Sequence, residues 1–183
     1  MRRASTDVTS RTAREWLRRC IFLGALVFQA AAAAQVTTEV KVVGVVAHPL
    51  TLSVDDLRQL PVRHVDEVRV VGEGKSREEQ TRHHGGVLLR DVLDKAEVVE
   101  AARHDKRRTV IVATASDGYR AVFSWAELYL TPLGEGVLVL IERDGQPLDD
   151  REGRIALISL KDTNTGPRHV RWLQRIEVML VGS

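Results

Sequence analysis

Cysteine is nearly absent from this chain: there is one, Cys20, in 183 residues. Residues 35–183 therefore carry no disulfide, no thiolate metal ligand and no cysteine nucleophile. Aromatic residues are scarce too, with three Trp, two Tyr and three Phe. No basic patch interleaves with them, which argues against a nucleic-acid surface. Neither a Gly-x-Ser-x-Gly elbow nor a His-Glu-x-x-His pattern occurs, so the common hydrolase and zinc-protease signatures are missing. Long apolar runs are missing as well. The stretch at residues 20–28 is too short for a comfortable transmembrane helix. Residues 35–183 contain no internal repeats, no low-complexity tract and no interdomain linker.

What is present begins with a basic N-terminus. Arg2, Arg3, Arg11, Arg14, Arg18 and Arg19 precede that apolar run, and the alanines 30–34 follow it. A basic region, a short apolar region and an Ala-x-Ala site describe a secretory signal peptide, with cleavage expected after Ala34. The expected organisation is a signal at 1–34 and one domain at 35–183, exported to the periplasm with no membrane anchor left after cleavage. Arg18-Arg19-Cys20-Ile21-Phe22-Leu23 resembles a twin-arginine signal, one residue out of register and with Leu17 where Ser or Thr is usual. The Sec and twin-arginine routes both stay open. Residues 1–34 hold six arginines against Asp7 and Glu15, and the whole chain is +2, so the expected mature part is −2. Cys20 precedes the apolar run instead of following it, which is wrong for a lipoprotein.

Taken in order, residues 36–46 alternate loosely and read as a strand, and 53–60 as a short helix capped by Ser53. Residues 65–71 read as a second strand. Residues 72–86 form the one long polar stretch and read as a loop, mobile or functional. Residues 87–96 read as a helix, with Leu88, Leu89, Val92, Leu93 and Ala96 on its core face. Residues 97–109 read as a solvated connection. The run 137–141 fits a buried strand, Asp144-Gly145 a hairpin turn, 155–160 a strand, 161–167 a second polar loop and 175–181 a closing strand. About seven strands and three short helices imply an α+β fold: a single domain on a mixed β-sheet with short helices.

The chain is organised around residues 114–128, TASDGYRAVFSWAEL. A β-branched strand end runs into the turn Ser116-Asp117-Gly118, where Gly118 accommodates positive φ. Residues 119–123 then alternate, and Ser124-Trp-Ala-Glu127 matches a capping box. Three further phrases accompany it: GVLLRDVL at 86–93, VLVLIERDGQPL at 137–148 and RHVRWLQRIEV at 168–178. The four together, in this order, resemble the oxidoreductase molybdopterin-binding domain family, the domain of sulfite-oxidase-type enzymes, over roughly residues 40–181.

The resemblance implies a sulfite-oxidase-type fold and loops that surround a pyranopterin cofactor, molybdopterin, with its phosphate. The candidate binding residues are Ser116, Asp117, Tyr119, Arg168 and Arg171, inside matched phrases, and Lys161, His83 and His84, outside the firmest ones. Clustered Arg and Lys suit an anion. The other reading of Arg168 and Arg171 is surface ion pairing with nearby acids. His83 and His84 are adjacent and point to opposite sides if extended, so no metal site is assigned to them. No catalytic residue is assigned. Sulfite-oxidase-type enzymes hold molybdenum through a cysteine thiolate, and residues 35–183 have none to offer. Two functions follow. One is an exported binding module for an anionic small molecule, a pterin or a periplasmic partner protein. The other is a minimal molybdopterin oxidoreductase with an unusual metal ligand. The missing cysteine favours the first; the near twin-arginine signal favours the second, because that route moves folded proteins.

Overall fold

Runs of β-branched residues punctuated by short capped segments give a chain with many strands and few helices. The computed structural model describes residues 36–71, 78–100, 102–164 and 166–182. All of them belong to one compact unit, Ala32–Ser183. The other unit, Met1–Ala31, lies outside the described residues, as does the whole expected signal peptide at 1–34.

The order of elements is β1 (Glu39–Gly44), β2 (Leu50–Ser53), α1 (Val54–Arg58), β3 (Val62–Val71), β4 (Glu78–Leu88), α2 (Leu89–Ala96), α3 (Asp105–Arg108), β5 (Thr109–Ala115), β6 (Arg120–Ser124), α4 (Trp125–Leu130), β7 (Val137–Arg143), β8 (Gln146–Pro147), β9 (Ala156–Ser159) and β10 (Leu173–Leu180). The α+β expectation holds, but the strands form two sheets where one was expected. The first runs β2-β1-β10-β5-β6 and is mixed, since β1 and β10 are parallel. The second runs β3-β4-β7-β8, with β9 also on β7, and is antiparallel throughout.

Strand β7 joins two cores. Val137, Val139 and Ile141 enter the large cluster, which draws on both sheets, together with Phe123, Leu157 and Ile176. Leu138 and Leu140 turn to the other face and pack with Leu88, Leu148 and Ile158. A strand covered on both faces needs no polar alternation, which is why residues 137–141 read as one apolar run. The turn after β7 has left-handed backbone at Asp144 (φ 50°) and Gly145 (φ 73°), as a tight hairpin requires.

The expected loop at 72–86 is corrected. From Glu78 onward it is strand β4, in continuous register with β3 from Val62↔Val87 to Val71↔Glu78. Among the described residues its outer half pairs with β3 alone and stays exposed, whereas His84–Val87 lies between β3 and β7 and is buried. Polarity there reported solvent exposure and not absence of a strand. Residues 72–77 lie outside the described residues. The strand also takes residues 87 and 88, so α2 begins at Leu89, two residues later than expected. Gly86 sits at an irregularity in the β4–β7 register, where an added Cβ would meet the Val139 carbonyl oxygen at 2.4 Å. Helix α3 lies within the connection expected at 97–109. Both capping boxes form: Ser53 with Asp56 opens α1, and Ser124 with Glu127 opens α4.

Candidate functional site

The turn between β5 and β6 is held by its own side chains. Asp117 Oδ1 accepts the Tyr119 amide at 2.9 Å, and Gly118 takes φ +91° with open space around it. The turn is then tied to the segment before β10. The Ser116 amide donates to the Trp172 carbonyl at 3.0 Å, and the Tyr119 hydroxyl donates to the Pro167 carbonyl. Trp172 itself is left-handed at φ 48°, a costly conformation for a bulky residue. It is secured on three sides: its amide donates to the Glu152 carbonyl at 2.7 Å, its indole N–H donates to the Asp150 carbonyl at 2.9 Å, and Gly153 leaves room beneath it.

Between these two segments lies an open groove of about 430 Å³, lined by Arg69, Asp117, Tyr119, His169, Arg171 and Trp172. Arg69 also lines a neighbouring groove of about 550 Å³, whose wall includes Glu135, Lys161 and Asp162. The two grooves thus meet at Arg69, which reaches from β3.

Two buried ion networks underlie this surface. In one, His84 Nε2 lies 3.0 Å from Glu67 Oε2, the same oxygen that takes the Arg69 Nε–H at 2.8 Å. His84 is 1% exposed, and burial holds its pKa below the usual imidazole value. In the other, Arg143 grips both oxygens of Glu152, while His169 Nε2 sits 2.5 Å from Glu152 Oε1. Burial alone would raise the Glu152 pKa, but His169 and Arg143 together outweigh it and bring it down to about 2. Glu152 is therefore an ionised anchor under the groove wall.

The eight residues expected from sequence separate into distinct places. Asp117, Tyr119 and Arg171 share the smaller groove, and Lys161 lines the larger one. Ser116 binds the Trp172 carbonyl through its backbone. Arg168 is in neither lining. Its guanidinium pairs with both Asp162 oxygens, contacts Glu127 Oε1 at 3.3 Å and stacks over Phe123 at 4.6 Å from the ring centroid. These acids, the Asp162 hydrogen bond above all, raise its pKa further, while Asp162 is lowered because the Arg168 bonds overcome its burial. His83 is exposed and pairs with Asp66 at 2.6 Å, a hydrogen bond that raises its pKa. His84 is buried beneath the surface. The adjacent histidines do face opposite environments, as an extended strand requires.

His169, Trp172, Arg69 and the Glu152–Arg143 pair were not singled out from sequence. His169 and Trp172 lie inside the phrase at 168–178, so the signal was on hand for them. Glu152, Arg143 and Arg69 come from separate strands and turns and have no local signature. Chemically the smaller groove offers the Arg171 guanidinium beside a carboxylate and an imidazole, with Arg69, paired to Glu67, on its edge. Among the described residues no group of three or more His, Cys, Asp or Glu is placed to hold a metal ion.

Comparison with known proteins bears on the fold and the family. No curated protein sequence matches the chain. Among solved structures, the sulfane dehydrogenase SoxCD from Paracoccus pantotrophus superposes with a TM-score of 0.60 over 79% of this chain, at 17% identity. The match covers 39% of that chain, so the protein spans well under half the length of its structural relative. The likeness extends to the fold. The family model described as oxidoreductase molybdopterin binding domain matches residues 28–181, and the chain therefore belongs to the oxidoreductase molybdopterin-binding domain family.

Proposed function

We propose that this protein is a ligand-binding member of its family, taking a small anion in the groove between the 116–119 turn and the 166–172 segment. In this reading it is not an oxo-transfer enzyme of the sulfite-oxidase pattern. The observation that carries the proposal is the make-up of the grooves: Arg171 and Lys161 stand on their walls with Arg69 between, and no thiolate accompanies them.

The family implies molybdopterin, and the two halves of that cofactor fare differently against these residues. A molybdenum centre does not fit: residues 35–183 have no sulfur donor of the cysteine type, and no described cluster replaces one. An anionic group fits the donors: a guanidinium forms paired bonds to an oxyanion, and a lysine adds a point charge. Arg168 is not part of this donor set, because Asp162 and Glu127 already occupy it.

Export to the periplasm, with removal of residues 1–34, is part of the proposal. It rests on the signal-like N-terminus. N-terminal sequencing of the periplasmic protein would read Gln35 first if it holds.

The test of function is metal analysis with pterin fluorescence, on protein purified from the periplasm of a host that makes molybdenum cofactor. The expected result is no stoichiometric molybdenum, with anion binding that is lost in Arg171→Ala and weakened in Lys161→Ala. Near-stoichiometric molybdenum together with pterin would overturn the proposal and restore the oxidoreductase reading. Pterin without molybdenum would make the protein a cofactor carrier and identify the anion.

A further inference from the structure

We infer that the smaller groove selects an oxyanion that itself carries a hydrogen-bond donor, through His169 and Asp117 acting as acceptors beside Arg171. The inference rests on the anion-binding reading of this groove and names the ligand class it takes.

The groove is not uniformly cationic. A site for a bare anion would present donors alone, since any acceptor pointing at the ligand repels it. Here Asp117 stands in the lining, with Oδ1 accepting the Tyr119 amide and its carboxylate charge at the groove. His169 stands in the same lining. Its Nε2 lies 2.5 Å from Glu152 Oε1, an ion-pair contact without the alignment of a regular hydrogen bond, and no other partner for that nitrogen is present among the described residues. Glu152 is ionised and acceptor-only, so a ring nitrogen this close to it carries the proton instead of a lone pair. That fixes the tautomer. In the neutral ring the remaining nitrogen, Nδ1, keeps its lone pair and is an acceptor. Arg143 binds the same Glu152 carboxylate through both terminal nitrogens.

The wall around this imidazole is rigid. Trp172 is strained and triply held, and the Tyr119 hydroxyl is spent on the Pro167 carbonyl. The acceptors therefore cannot turn away from an unsuitable ligand at low cost. A ligand that meets Arg171 with an anionic oxygen and His169 or Asp117 with an O–H satisfies the guanidinium and one of the two acceptors. An anion with no proton to donate leaves acceptors facing its oxygens.

Inorganic phosphate and sulfate isolate this difference. The titration is run at about pH 8. Both anions are then tetrahedral dianions of similar size, but phosphate retains one O–H. Calorimetric titration of the purified protein should show phosphate binding about five- to tenfold more tightly than sulfate, the worth of one neutral hydrogen bond at a partly open site. The His169→Ala protein should bring phosphate close to sulfate, with phosphate weakened and sulfate bound somewhat more tightly once the acceptor facing its oxygens is gone. The ¹⁵N resonance of His169 Nδ1 reads the same contact without a substitution, moving with phosphate and staying put with sulfate. Equal affinities, or an Nδ1 signal indifferent to phosphate, overturn the donor requirement while the anion groove stands. Binding of neither anion overturns the groove as an anion site along with it.

Discussion

Protonation of Glu152 should unlatch the wall of the groove, and the cost can be worked from the structure. The residue is 5% exposed, held by both terminal nitrogens of Arg143 and by His169. Its pKa falls from 4.5 to about 2 in the folded protein, burial being outweighed by those two partners. A carboxylate depressed on folding contributes stability that is fully present above its unfolded pKa and fades as pH drops toward the folded one. Here the window runs from about pH 4.5 down to about 2, and the contribution is on the order of 3 kcal/mol.

The measurement is urea unfolding of wild type and Glu152→Gln at several pH values between about 7 and 2.5. At neutral pH the variant should be less stable by roughly 3 kcal/mol, since its amide cannot ionise. The gap should close as pH falls through the window, because the wild type gains a proton that the variant has no site for. Other carboxylates titrate in both proteins and cancel in the difference. A gap that stays constant from neutral to acid pH would refute the reasoning, and so would one that widens.

Arg168→Ala should cost about 2 kcal/mol by removing the Asp162 pairing and the Phe123 stack, with anion affinity unchanged. Arg171→Ala should do the opposite, and parallel melting and binding curves distinguish the two. Gly153→Ala should destabilise by about 2–4 kcal/mol, because φ is +80° and a Cβ would lie 2.8 Å from Trp172 Cα. A second readout, Trp172 fluorescence, should shift in the same variant. Ser124→Ala should lower stability by about 1 kcal/mol through loss of the cap on α4, seen as a lower thermal midpoint.

Local chemistry was enough for much of the architecture. The Ser53 and Ser124 caps, the Asp144-Gly145 hairpin, the 116–118 turn and the buried run of β7 each depend on residues within a few positions of one another. Sequence alone therefore determined where the chain turns, which faces are apolar, the family resemblance and the lack of a cysteine in residues 35–183. It could not separate strand from loop in β4, because a strand paired on one side and wet on the other has the composition of a loop. Nor could it sort cations by partner. Arg168 and Arg171 are three residues apart in one motif, yet one is neutralised by Asp162 and Glu127 while the other lines the groove. The same holds for His84 and His169, whose anchors Glu67 and Glu152 come from elsewhere in the chain. Which charges are satisfied and which remain for a ligand depends on distances between segments remote in sequence. Coulomb and hydrogen-bond energies act over a few ångströms of space, and only the tertiary structure sets those separations.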